Sequence, residues 1–152
     1  FSLWFLALDS KRLLLNQKTV FYSISAIMLT NFLVWIVNNL VSRTRPFIGN
    51  SDEIQLIFYA PTDPSFPANP VAIGFTVTAS IFPSNKYLGY ILLVISIIFS
   101  FSRIYVGVFY FLDVFSAAIM GFVIALLVRK IMRIKIINFI LMKNIKILRL
   151  LA

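Results

Sequence analysis

Residues 102–113 read SRIYVGVFYFLD, an apolar run that begins beside an arginine and ends on an aspartate. Asp113 is the only acidic residue after Asp63. A charge at the edge of a bilayer loses hydration, so Arg103 and Asp113 are costly there unless each has a function or a partner. The run therefore predicts a functional site at one membrane face. Residues 42–46 (SRTRP) and 65–70 (SFPANP) are expected to reach the same face.

The composition predicts an integral membrane protein. Hydrophobic residues fill 61% of the 152 positions, charged residues fill 12%, and the mean hydropathy is +0.96. A soluble domain is about 45–50% apolar and about 25% charged. The length suits one domain.

Two residue types are missing from the sequence, cysteine and histidine. Their absence excludes a thiolate metal site and removes the commonest general acid or base. The net charge of +9 lies mostly at the ends of apolar segments, which the positive-inside rule explains without a nucleic-acid partner. No cofactor is expected.

Apolar segments predict an all-α, polytopic transmembrane helical bundle. The segments are 19–40, 69 to about 82, 87–101 and 110–128. Asn69 and Pro70 suit the N-cap and the first position of a helix. Gly121 should allow close helix packing. Residues 9–12 are expected to be a polar break, and apolar residues 1–8 the end of a helix in an N-terminally truncated protein.

Irregular structure is predicted between the first two helices, because five of the six prolines fall between residues 46 and 70. Residues 104–108 should form a tight return. The segment 129–152 carries seven of the fourteen Lys and Arg residues. It is expected to be a basic amphipathic cytoplasmic tail that follows a transmembrane domain over 1–128.

The charge distribution predicts the orientation. With the tail in the cytoplasm, eleven of the fourteen basic residues fall inside. The three that fall outside are Arg43, Arg45 and Arg103. Arginines gathered on one face suggest an anion site.

These stretches resemble the motifs of the type 2 phosphatidic-acid phosphatases. Arg45-Pro46 is similar to the end of K-x6-R-P, residues 65–70 to S-F-P-S-G/D-H, and residues 102–113 to S-R-x5-H-x3-D. Phe47 and the residues after Arg103 also match. The resemblance covers roughly residues 13–128 and is greatest to the bacterial undecaprenyl-diphosphate phosphatases.

The resemblance implies a metal-free phosphatase that hydrolyses a lipid phosphate at the outer face of the cell membrane through a phosphohistidine. The position of Phe109 would hold the nucleophile, and Asp113 would orient it. The position of Pro70 would hold the acid that protonates the leaving oxygen. Phosphate binding is implied for five positions: Asn38, Arg45, Ala68, Asn69 and Arg103.

Four of these positions depart from the family pattern. Asn38 replaces Lys, Ala68 replaces Ser, and Pro70 and Phe109 replace the two histidines. Phenylalanine cannot attack phosphorus, and proline has no proton to give. We therefore expect a catalytically impaired member that still binds a lipid phosphate, its partners being that lipid and the bilayer.

Other interpretations remain open at this stage. The chain could be a membrane partner protein or a small transporter. Arg103 and Asp113 could form only a structural ion pair, and Arg43 and Arg45 could bind lipid headgroups only. The sequence leaves the oligomeric state unknown.

Overall fold

A computed structural model describes residues 10–49 and 61–132 of the chain, with the side chains of residues 10–14 and 49 excepted. In this part of the chain every regular element is a helix, which confirms the predicted all-α fold. The five helices are α1 (Ser10–Val41), α2 (Pro46–Gly49), α3 (Asn69–Ile81), α4 (Lys86–Tyr105) and α5 (Phe111–Met132). The predicted helix end at residues 1–8 and most of the predicted tail lie outside the described residues.

Three helices, α1, α4 and α5, are longer than the sequence pattern predicted, and α5 continues to Met132. Helix α1 begins at Ser10, so the polar break expected to continue through residues 10–12 is wrong. Lysine and arginine favour helices, so the basic residues at positions 11 and 12 are compatible with a helix. Helix α4 continues to Tyr105, so Arg103 lies in its last turn. A positive charge there interacts favourably with the negative end of the helix dipole. The return consequently lies at residues 106–110, two positions later than the predicted 104–108, and turns at Gly107, whose φ is 72°.

Helix α3 is the centre of the bundle and packs against α1, α4 and α5. Small residues line its contact with α5. A Cβ at Gly121 would overlap the carbonyl oxygen of Ala72, so the two backbones touch there. This contact confirms the prediction that Gly121 permits close packing.

Hydroxyl groups also join the helices inside the bundle. The Thr30 and Thr76 hydroxyls of α1 and α3 are 2.9 Å apart, and those of Thr78 and Ser96 of α3 and α4 are 3.2 Å apart. Thr76 and Thr78 also reach carbonyl oxygens one turn back in α3. In a lipid environment such pairs hold helices together, because no water competes for them.

The outer surface of the bundle suits a bilayer. Within the described residues, α1, α4 and α5 are long and apolar enough to cross a membrane, while α3 is a shorter apolar helix. Large apolar side chains such as Trp35, Phe101 and Phe115 are exposed along these helices. The chain is therefore a multi-pass membrane protein.

The bundle brings the three singled-out stretches to one end. Helices α1 and α4 end there, and α3 and α5 begin there. Backbone hydrogen bonds connect them, from the Ser65 N–H to the Arg43 carbonyl oxygen and from the Ala68 N–H to the Asp113 carbonyl oxygen.

Candidate functional site

Asp113 is fully buried at the start of α5. Its Oδ1 accepts a hydrogen bond of 2.8 Å from Nη1 of Arg43, and its Oδ2 accepts one of 3.1 Å from the Tyr110 N–H. The Arg43 guanidinium also lies 4.3 Å from the centre of the Tyr110 ring. Both carboxylate oxygens are thus engaged, and the acid is neutralised by an arginine from the α1–α2 connection.

This pairing overturns the possibility that Arg103 and Asp113 form an ion pair. Arg103 lies in the last turn of α4 with its guanidinium 4.5 Å from the centre of the Phe99 ring. Its Nε is buried and has no hydrogen-bond partner among the described residues. Arg103 therefore keeps a donor that is available to a ligand.

Arg45 is the most buried of the three arginines, with 2% of its side chain exposed. Its Nε donates to the carbonyl oxygen of Asp63 at 2.8 Å, and its Nη2 lies 2.9 Å from the carboxylate of the same residue. Its Nη1 donates to the Val108 carbonyl oxygen at 3.4 Å. The Phe109 ring covers one face, its centre 4.5 Å from the guanidinium carbon.

Phe109 therefore occupies the predicted nucleophile position as a buried apolar side chain that packs on Arg45. Such a cation–π contact stabilises a buried guanidinium but offers no atom that could attack phosphorus. The aromatic ring and the arginine together form a closed face of the site.

The start of α3 holds the remaining predicted residues. Ala68, not Asn69, is the N-cap, so the helix begins one residue earlier than predicted. The Ala68 side chain is fully buried, and its N–H is already bonded to the Asp113 carbonyl oxygen. Pro70 is exposed, in the first turn of the helix.

Two asparagines at this end have unused hydrogen-bonding atoms. Asn69 donates from Nδ2 to Oδ1 of Asn31 at 3.0 Å, but its own Oδ1 is buried with no partner in the described part of the chain. The Oδ1 of Asn38, near the end of α1, is in the same situation. Buried polar atoms of native proteins are nearly always paired, so these two amides are candidates for contact with a polar group at this end of the bundle.

Sequence reasoning missed two partners. It gave Asp63 no role and did not connect Arg43 with Asp113. Seventy positions separate Arg43 from Asp113, and no local pattern signals a pairing at that distance. The only available hint was that Arg43 breaks the positive-inside rule.

Fold and site together define a class, a multi-pass helical membrane protein with a cluster of arginines and asparagines at one end of its bundle. The model of the PAP2 superfamily matches residues 19–137. The chain belongs to this family, the type 2 phosphatidic-acid phosphatases that its motifs resemble, and the predicted family is confirmed.

Curated relatives agree with this membership. The chain is 33% identical over 113 residues to "Bacitracin transport permease protein BcrC" of Bacillus licheniformis, covering 74% of this chain and 55% of the relative. It is 25% identical over 122 residues to "Putative undecaprenyl-diphosphatase YbjG" of Escherichia coli (strain K12), covering 80% of this chain and 58% of the relative. The chain thus spans little more than half the length of these relatives.

Two solved structures share the fold. The crystal structure of Aquifex aeolicus LpxE superposes with a TM-score of 0.65 at 32% identity, covering 75% of this chain and 68% of that one. The PAP2-type phosphatidylglycerolphosphate phosphatase of Bacillus subtilis superposes with a TM-score of 0.62 at 19% identity, covering 87% and 64%.

Proposed function

We propose that this chain binds the phosphate group of a membrane lipid at the arginine-rich end of the bundle and hydrolyses it poorly or not at all. The observation that carries the proposal is the buried Nε of Arg103, which lacks a partner among the described residues, at the same end as Arg43 and Arg45. A guanidinium donates several N–H groups in one plane, which suits the oxygens of a phosphate.

The two asparagines supply further polar atoms. The oxygen and nitrogen of an amide exchange places when its last bond rotates, so Asn38 can present an N–H group as readily as a carbonyl. Asn69 lies at the start of α3, where the helix dipole favours an anion. Ala68 contributes only backbone, because its side chain is a methyl group.

Loss of the two histidines supports impaired chemistry. Phe109 and Pro70 stand at the nucleophile and acid positions that the family resemblance assigns, and neither transfers a proton. Asp113 is a poor substitute nucleophile, since it is fully buried and both of its oxygens are engaged. Removing a catalytic nucleophile typically lowers the rate by several orders of magnitude.

The ligand that fits best is undecaprenyl diphosphate or a related lipid phosphate. One curated relative carries the name of an undecaprenyl-diphosphatase, and another a name tied to bacitracin. The opposite end of the bundle carries Lys18, Lys86, Arg129 and Lys130. The positive-inside rule favours a cytoplasmic location for that end, which supports our proposal of an arginine site at the outer face.

Phosphate release from undecaprenyl diphosphate in detergent tests the chemistry. The chain is compared with a fourfold variant that restores the family pattern, Asn38→Lys, Ala68→Ser, Pro70→His and Phe109→His. We expect release only from the variant. If the unmodified chain releases phosphate as fast as the variant, the assignment of position 109 to the nucleophile is wrong.

Binding tests the pocket separately. Arg103→Ala should weaken the binding of undecaprenyl diphosphate, while Lys86→Ala at the opposite end should leave it unchanged. Equal binding by the unmodified chain, Arg103→Ala and Lys86→Ala would favour a small transporter or a membrane partner protein over a lipid-phosphate binder.

A further inference from the structure

Asp63 is bonded to the edge of the Arg45 guanidinium that would otherwise bind an oxyanion. The Nε and Nη2 atoms form the side of the guanidinium that binds two oxygens of a carboxylate or phosphate at once. In this protein both atoms face oxygens of the same residue, the carbonyl oxygen of Asp63 at 2.8 Å and its carboxylate at 2.9 Å. Asp63 thus imitates the two oxygens of a bound anion.

The other sides of Arg45 are closed by apolar or backbone groups. Phe109 covers one face and the Val108 carbonyl oxygen takes Nη1. Arg45 exposes 2% of its side chain, whereas Asp63 exposes 58%. An anion that approaches from the membrane surface therefore meets the Asp63 carboxylate before it reaches Arg45.

We propose that the Asp63 carboxylate competes with a lipid phosphate for the guanidinium of Arg45. A lipid phosphate must displace this carboxylate to bind. The carboxylate leaves easily because it is already largely in water. Arg45 cannot stay buried without a counter-charge, so the exchange is favourable only when another anion takes the place of Asp63.

This inference rests on the proposed function, because it assumes that Arg45 binds phosphate. The test is isothermal titration calorimetry on the chain in detergent micelles with two probes, dihexanoyl phosphatidic acid and inorganic phosphate. Comparing them separates a lipid headgroup from free phosphate as the source of the anion. Asp63→Asn should bind the lipid probe roughly two- to fivefold more tightly, the gain expected when a partly exposed ion pair is removed.

Two matched variants isolate the effect. Thr62→Lys changes the net charge by the same single unit on the same exposed segment but leaves Asp63 in place. Asp63→Glu keeps the competing carboxylate. Both should bind like the unmodified chain. If Thr62→Lys gains as much affinity as Asp63→Asn, general charge attraction explains the result and the inference is wrong.

The outcomes also separate this inference from the proposed function. Binding that requires Arg45 but is equal with and without the Asp63 carboxylate would leave the phosphate site standing and overturn the competitor. Binding that is unchanged by Arg45→Gln, or absent in every variant, would overturn both.

Thermal unfolding supplies a second measurement that does not depend on calorimetric heats. Without ligand, Asp63→Asn should unfold at a lower temperature than the unmodified chain, because Arg45 has lost its counter-charge. Inorganic phosphate should raise the unfolding temperature of the variant by more than it raises that of the unmodified chain. An equal rise in both proteins would contradict displacement.

Discussion

Arg43 donates a 2.8 Å hydrogen bond to Asp113, the fully buried acid at the start of α5. The pair joins the α1–α2 connection to α5 across the site. The motif resemblance implies an acid at this position that orients a histidine, whereas the carboxylate of Asp113 is bonded to an arginine.

Removing Arg43 should destabilise the fold, because it leaves a buried carboxylate without its counter-charge. We expect Arg43→Gln to lower the free energy of unfolding by roughly 2–3 kcal/mol, less than the loss for a fully buried pair because part of the Arg43 side chain is exposed. Unfolding by SDS in mixed micelles measures this loss. Asp113→Asn is the partner variant, and the double variant should lose less than the sum of the two. Additive losses would mean that the pair contributes nothing.

Arg43 should also compete with an introduced nucleophile. When Phe109→His and Pro70→His are combined, the new imidazole at position 109 must share Asp113 with Arg43. Adding Arg43→Gln should raise phosphate release by about tenfold, since orientation by a carboxylate is worth even more in established catalytic triads. The measurement is the initial rate at saturating lipid. A lower rate would indicate that Arg43 binds the substrate instead.

Gly121 should tolerate no side chain. A Cβ there would overlap the Ala72 carbonyl oxygen, which belongs to the α3 backbone and cannot move aside cheaply. We expect Gly121→Ala to cost about 3 kcal/mol of unfolding free energy. Gly74→Ala is the matched control, because its Cβ would lie 3.2 Å from the Ser96 Oγ, a side-chain atom that can rotate. Similar losses in the two variants would contradict the close contact.

The hydroxyl of Thr76 should stabilise the packing of α3 against α1. Thr76→Val removes its contacts with Thr30 and with the Gly121 carbonyl oxygen, and should cost between about 0.6 kcal/mol, the average for hydrogen bonds between transmembrane helices, and about 1.7 kcal/mol, the maximum. The same SDS unfolding experiment detects it. Ser23→Ala is a suitable comparison, since that hydroxyl donates to the Thr19 carbonyl oxygen of its own helix. If Thr76→Val lowers the free energy of unfolding no more than Ser23→Ala does, the hydrogen bond between Thr30 and Thr76 does not stabilise the bundle.

Orientation in the membrane can be tested by labelling, because the sequence has no cysteine. Thr62→Cys places a thiol at the arginine end, and Pro83→Cys places one in the exposed turn between α3 and α4 at the other end. An impermeant maleimide applied to intact cells should label the first variant at once and the second only after permeabilisation. The reverse pattern would put the arginine site in the cytoplasm.

Membrane insertion, the helical class and the family motifs follow from the sequence alone. Long apolar segments leave few structural choices in lipid, because every backbone polar group must be bonded within its own helix. The excess of basic residues at one set of helix ends predicts the orientation, and the spacing of Arg45, Arg103 and Asp113 indicates the family. These are local properties of the chain, so they can be read without coordinates.

Tertiary structure decided which charges meet. The sequence permitted Asp113 to pair with Arg103, yet in the bundle Asp113 pairs with Arg43. Arg45 is bonded to Asp63 and covered by Phe109. The Nε of Arg103 has no partner among the described residues. A guanidinium on a long side chain can reach several carboxylates. Which one it reaches depends on where the helix ends are placed by packing at contacts such as Gly121 against Ala72, and no short-range pattern encodes that placement.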